Sequence, residues 1–161
     1  MNSLWAVVPA AGSGRRLGGD IPKQYREIAG APLLEHTLRA LLGSSDVRGE
    51  VVALDTSHRR ADAIASLSDV RVQTVPGGAE RAHSVLAGLE HLALQAGDDD
   101  WVLVHDAARP CLSLDALSAL IAEARSLNEG VILASPVADT LKQVNDDGAV
   151  TATIDRRTLW R

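Results

Sequence analysis

The chain has 161 residues, of which 46% are apolar and 23% charged, with a net charge of −5. That is enough for one domain with its own core, and the acidic balance argues against a general nucleic-acid-binding surface while leaving room for a local cationic pocket. No apolar run reaches the length of a membrane span, and a single cysteine, Cys111, rules out an internal disulfide, so a cytoplasmic protein is expected.

With aromatics at 2% and no Phe, the core must be built from Val, Leu, Ile and Ala. Leu4 to Val8 reads as a short buried strand, ended by Pro9 and a glycine-rich stretch with no charged leader before it. Leucines at 33, 34, 38, 41 and 42 have helical spacing, and Gly43 stops them. Glu50 to Leu54 reads as a strand, His58 to Leu67 as a helix, and Val70 to Val75 as a strand closed by Pro76-Gly77-Gly78. Ala79 to Leu94 reads as a helix with an apolar stripe of Val85, Leu86, Leu89, Leu92 and Ala93. Trp101 to Val104 follows as a strand, Leu114 to Leu127 as a helix and Val131 to Ala134 as a further apolar strand. Thr140 to Val144 and Ala149 to Ile154 flank Asn145-Asp146-Asp147-Gly148, a hairpin turn signal.

Short strands alternating with helices predict an α/β fold: a mostly parallel, Rossmann-like sheet with helices on both faces. The final hairpin, within residues 137–156, is expected to form a projecting β-arm. Ligands of such sheets bind beyond the carboxyl ends of the strands, which singles out 9–19, 76–81 and 105–110.

The first of these, Pro9-Ala10-Ala11-Gly12-Ser13-Gly14-Arg15-Arg16-Leu17, directly follows a strand. Glycines and small residues let backbone N–H groups approach phosphate oxygens, and Arg15, Arg16 and Lys23 add positive charge. A P-loop would need Lys-Ser or Lys-Thr after the glycines, and a dinucleotide fingerprint would need a third glycine where Leu17 stands. Both are excluded. The residues alone support a phosphate-holding turn.

The stretch PAAGSGRRLGGDIPKQY (9–25) resembles the signature of the 2-C-methyl-D-erythritol 4-phosphate cytidylyltransferases, a family of α/β nucleotidyltransferases. The likeness continues through VPGGAERAHSVLAGL (75–89), WVLVHDAARPCL (101–112), ASPVADTLKQV (134–144) and DRRTLW (155–160), in order and across the chain. It implies transfer of CMP from CTP to a polyol phosphate with release of pyrophosphate, in isoprenoid precursor synthesis. Residues 1–161 are then expected to be a single nucleotidyltransferase domain lacking its C-terminal part, because family members continue further.

Residue by residue, the resemblance implies phosphate contacts at Ala10, Ala11, Gly12, Ser13 and Gly14, and catalytic cations at Arg16 and Lys23. It places cytosine recognition at Gly77, Gly78, Ala79 and Ser84, with Ala79 standing where some members carry an acid. Asp106 falls on the family's metal ligand, for Mg²⁺. Arg109, Thr140 and Arg156 fall on positions that bind the polyol phosphate, Arg156 from the partner subunit of a homodimer joined through the β-arm. On the residues themselves, Arg81 reads as a brace for the glycine turn, His105 as a structural histidine and Cys111 as a small buried residue. Two other readings stand beside this one: a ribitol-5-phosphate cytidylyltransferase, which differs only in the polyol pocket, and a non-catalytic nucleotide-binding module.

Overall fold

The computed structural model describes residues 2–12, 21–55 and 59–161. It comprises two compact units, one ending at Ser118 and one running from Ala119 to Arg161. In chain order the first unit carries β1 (Leu4–Ala10), a 3₁₀ turn (Lys23–Tyr25), the two-residue strands β2 (Glu27–Ile28) and β3 (Ala31–Pro32), and α1 (Leu33–Leu42). It continues with β4 (Val47–Leu54), β5 (Val72–Pro76), α2 (Arg81–Leu92) and β6 (Trp101–Val104), and α3 (Leu114–Leu127) leads into the second unit.

The four longer strands form one sheet in the order β5-β4-β1-β6, with every neighbouring pair parallel. Strand β1 lies between two neighbours, which is why LWAVVPA is apolar without alternation: both faces are covered and Ala6, Val7 and Val8 are wholly buried. From β1 the chain steps outward through α1 to β4 and on to β5, then returns through α2 to β6. Because parallel crossovers are right-handed, opposite steps put α1 and α2 on opposite faces of the sheet. Register carries the strand ends to one edge, Ala10 beside Leu54 and Leu54 beside Pro76.

Helix α2 buries Leu92 of its predicted stripe but otherwise packs differently from it. The residues it buries are Ser84, Gly88 and Leu92, while Leu86 and Leu89 are exposed. A Cβ on Gly88 would sit 2.6 Å from Val7 Cγ1, so the missing side chain is what lets the helix backbone close on β1. Leucine spacing pointed to one face, but the sheet required the small one.

Three further segments depart from expectation. Residues 59–68 form two 3₁₀ turns, Arg59–Ala63 and Ala65–Ser68, separated by Ile64 in extended conformation, in place of the helix expected over 58–67. Buried Glu35 of α1 accepts bonds from Ser66 N–H (2.9 Å) and Ser66 Oγ–H (3.0 Å), which ties that segment to α1 instead of to its own helix. Val131–Ala134 is not a strand: an apolar run becomes one only when a neighbour takes up its N–H and C=O groups, and among the described residues none does. Its Ile132 is exposed. The β2–β3 hairpin, by contrast, was not foreseen; Ala29 (φ 49°) and Gly30 (φ 80°) form its left-handed turn.

The second unit contains the predicted hairpin, β7 (Leu141–Val144) antiparallel to β8 (Val150–Ile154). Asn145 closes the turn by donating its N–H to Ala149 O (3.0 Å), and Gly148 takes a left-handed φ of 79°. At the hairpin's base Ser135 and Arg161 exchange two backbone bonds of 2.8 Å, and Arg161 pairs with Asp139 at 3.0 Å. Among the described residues no helix is long and apolar enough to cross a membrane.

One acid is buried in the sheet itself. Glu50 of β4 is 1% exposed, and neither of its carboxylate oxygens has a hydrogen-bond partner. Burial pushes its pKa from 4.5 up to about 8, against the pull of Arg71 and with a small push from Asp69. In the unfolded chain the same acid ionises near its ordinary value, so folding retains a proton across the interval between the two. Stability is therefore highest below the unfolded pKa, falls as pH rises through the interval and levels off above about 8. Replacing Glu50 with Leu should flatten this slope and raise stability by a few kcal/mol (order of magnitude) near pH 8, as read by urea unfolding across the range. Parallel pH profiles for Glu50→Leu and the wild type would contradict a buried, protonated Glu50.

Candidate active site

Of the segments that leave the carboxyl edge of the sheet, those after β1, β5 and β6 are tied together. At the end of β1, Ala10 is buried, Ala11 half-buried and Gly12 exposed with open space where its side chain would be. The 3₁₀ turn at Lys23–Tyr25 lies beside it, because the buried Gln24 donates from Nε2 to Ala10 O (2.8 Å) and Gly12 O (2.9 Å). Ser13, Gly14, Arg15 and Arg16 lie outside the described residues.

The turn after β5 approaches this loop directly. A Cβ on Gly77 would stand 2.3 Å from Ala11 Cβ, and one on Gly78 the same distance from His83 Cβ, so both positions exclude a side chain. Gly77 N–H donates to Leu54 O (2.8 Å), extending the β4–β5 ladder by one step. Ser84, buried in the second turn position of α2, accepts from Gly78 N–H at 3.1 Å. Its hydroxyl therefore lies under the glycine turn and shapes it, while Ala79 beside it is exposed.

After β6, His105 N–H donates to Val7 O (3.0 Å), and Thr37 of α1 donates its hydroxyl to Ala107 O (3.0 Å), which fixes the 105–110 turn against the sheet. His105 Nε2 lies 3.0 Å from Arg109 O, an internal tie that fits a structural histidine. Cys111 is exposed, contrary to the expected burial: it follows a turn that leaves the sheet edge.

Asp106 is the acid at this edge. Arg81, the first residue of α2, places both Nε and a terminal nitrogen 2.9 Å from Oδ1, and Arg109 Nε lies 3.0 Å from Oδ2. Arg81 thus clasps the aspartate and joins the 76–81 turn to the 105–110 turn; it does not brace the glycines. Partial burial pushes the Asp106 carboxyl upward, but the Arg81 bond and the charges of Arg81, Arg109 and Lys23 outweigh it and hold the pKa below the ordinary value. The site is thus an ionised carboxylate within a cationic surround, suited to a polyanion. Among the described residues no cluster of three or more His, Cys, Asp or Glu could bind a metal ion unaided.

Thr140 and Arg156 lie in the second unit, just outside the first rung of the hairpin, Leu141 opposite Ile154. Both are exposed, and Arg156 donates to Ala138 O. Sequence reasoning did not find the roles of Gln24 and Arg81. Gln24's neighbour Lys23 drew attention for its charge, whereas a buried amide carries no sequence signal of its own.

A parallel sheet with a glycine loop, a close-packed glycine turn and a carboxylate among cations at one edge, and without P-loop or dinucleotide signatures, has the build of an α/β nucleotidyltransferase. A family model described as 2-C-methyl-D-erythritol 4-phosphate cytidylyltransferase matches residues 4–161. Proteins of that name from Pseudomonas fluorescens strain Pf0-1 and Ectopseudomonas mendocina are 48% and 49% identical, over 99% and 98% of this chain and 68% of each relative. A crystal structure of a 4-diphosphocytidyl-2C-methyl-D-erythritol synthase superposes with a TM-score of 0.85 at 38% identity, covering 100% of this chain and 72% of that one. The Francisella tularensis 2-C-methyl-D-erythritol 4-phosphate cytidylyltransferase gives 0.75 at 30% identity, over 99% and 69%. The chain belongs to the 2-C-methyl-D-erythritol 4-phosphate cytidylyltransferase family.

The Ala11–Gly77 approach leaves no room for a side chain on Gly77 and can be tested alone. Gly77→Ala should destabilise the protein by about 1–3 kcal/mol through overpacking. Adding Ala11→Gly to the same chain should recover most of the loss, as measured by thermal unfolding. A Gly77→Ala protein as stable as the wild type would mean that the two turns do not meet as described.

Proposed function

We propose that the protein transfers CMP from CTP to 2-C-methyl-D-erythritol 4-phosphate, forming 4-diphosphocytidyl-2-C-methyl-D-erythritol and pyrophosphate in isoprenoid precursor synthesis. The observation that carries this reading is the contact of the loop after β1 with the Gly77–Gly78 turn, beside a carboxylate ringed by Lys23, Arg81 and Arg109. In this reading the backbone of residues 10–14 holds the triphosphate. Gly77, Gly78 and Ala79 approach the cytosine edge, and Ser84 supports them from beneath.

An oxygen of the polyol phosphate attacks the α-phosphorus in line. The bond from that phosphorus to the bridging oxygen of the β-phosphate breaks, and pyrophosphate leaves. No covalent enzyme intermediate is needed, so positioning and charge stabilisation carry the catalysis. In this reading Arg16 and Lys23 supply the positive charge that stabilises what builds on the α-phosphate and the departing pyrophosphate.

Magnesium takes one or two carboxylates and completes its shell with phosphate oxygens and water. Asp106 fits that requirement: it is ionised, partly exposed and the one acid of the clasp, suited to a cation that arrives with the nucleotide. Bound there, the ion would neutralise charge on the triphosphate. Arg109 would then serve the acceptor phosphate, with Thr140 and with Arg156 of a second subunit, in a homodimer built through the β7–β8 hairpin. A cytoplasmic setting suits both CTP and an exposed, unpaired Cys111.

The test is CTP-dependent pyrophosphate release with 2-C-methyl-D-erythritol 4-phosphate and, in parallel, ribitol 5-phosphate. Release with the first acceptor alone is the expected result, and Lys23→Ala should lower kcat by about 10²-fold or more with the fold intact by circular dichroism. Release with ribitol 5-phosphate alone would move the assignment to that acceptor. CTP binding without release from either would make the protein a binding module.

A further inference from the structure

The feature that the reaction as proposed does not use is the amide of Gln24. It is 2% exposed, in a turn whose neighbour Lys23 is partly exposed and near enough for its charge to act on Asp106. A side-chain amide has two N–H donors, and Gln24 directs Nε2 at two acceptors, Ala10 O and Gly12 O, at 2.8 and 2.9 Å. These carbonyls stand on either side of Ala11, the residue that meets Gly77. In a trans peptide the carbonyl and the following N–H point in opposite directions. Holding Ala10 O toward Gln24 therefore turns the N–H of Ala11 away from Gln24. The turn is itself closed by Tyr25 N–H on Pro22 O (3.0 Å) and Arg26 N–H on Lys23 O (3.2 Å), so the Lys23 backbone has little freedom to move independently of Gln24.

We propose that Gln24 is a positioning residue: by binding both carbonyls it fixes the phosphate-holding backbone in register with the Lys23 ammonium. The inference rests on the function proposed above, since it assigns Lys23 and the loop to the same triphosphate. Gln24 touches no substrate. Its contribution is to make the loop and the lysine one rigid unit, so that the cation meets the α-phosphate where the loop presents it. Mutual misplacement of about 1 Å is enough to cost on the order of 10²-fold in rate.

Gln24→Met and Gln24→Glu separate this role from simple packing, because both approximate the shape of glutamine. Met has no donor. Glu has none when ionised and one when protonated, and two facing carbonyl oxygens favour its protonated form. The expected result is a fall in kcat of about 10²-fold for Gln24→Met, with weaker CTP binding by calorimetry. Gln24→Glu should recover part of its CTP affinity as pH is lowered, a recovery that neither the wild type nor Gln24→Met shows. Should Gln24→Met fail to fold, Gln24→Asn serves instead: its amide is one carbon shorter and cannot span both carbonyls, and the same losses are expected. Wild-type CTP affinity and kcat in the folded Gln24 variants, with no pH-dependent recovery in Gln24→Glu, would overturn the proposal if Lys23→Ala still lowers kcat by about 10²-fold. Wild-type turnover in Lys23→Ala would instead overturn the role given to Lys23, and no CTP-dependent pyrophosphate release from the wild type would overturn the function on which the proposal rests.

Discussion

Everything at the site depends on β1 being held between two parallel neighbours. Parallel pairing with β4 and β6 brings the carboxyl ends of the strands to one edge, and β5 follows through β4. The segments that leave this edge come from distant parts of the sequence, around residues 10, 77 and 106, yet they meet without a long loop to carry them. Gly77 against Ala11, Gln24 on two loop carbonyls and Arg81 on Asp106 are the three ties. Each joins two segments, so the edge acts as one structure rather than as three turns.

Building that edge entails unfavourable terms elsewhere in the sheet. Glu50 is buried in β4 without a partner, and the cost of its charge is avoided by keeping a proton. Gly88 gives up helix propensity so that α2 can close on Val7, and the same helix then brings Arg81 from its first turn to Asp106. Among the described residues three cations, Lys23, Arg81 and Arg109, act on the one carboxylate of Asp106. A triphosphate with its divalent cation carries the charge that such a group of cations would meet, so the electrostatics of the edge and the proposed substrate belong together.

The parallel α/β architecture was legible because strand and helix periods alternate cleanly, and β1, α1, β6 and α3 emerge close to where their apolar patterns put them. Failures occurred where a long-range contact overrode a local pattern. Leucine spacing chose Leu86 and Leu89 as the inner face of α2, but a sheet at close range admitted Ser84 and Gly88. Glu35 drew Ser66 out of a helical pattern, and Val131–Ala134 had the composition of a strand without a pairing partner. At the site, charged and glycine residues were conspicuous in sequence, whereas Gln24 was not, because a buried amide takes its meaning from the two carbonyls it meets. Asp106 stood out as an acid at a strand end, but its clasp by Arg81 needed the fold to bring residues 25 positions apart together.

The central claim is that one edge of this sheet holds a complete nucleotide. A crystal structure of the protein with CTP and a divalent cation tests it most directly. The triphosphate should lie along Ala10–Gly12 beside Lys23, the cytosine ring against the Gly77–Gly78 backbone, and the cation on Asp106 with at least one arginine moved from its oxygen. CTP bound away from the Ala11–Gly77 contact, or with its base and triphosphate on different faces of the sheet, would contradict the claim.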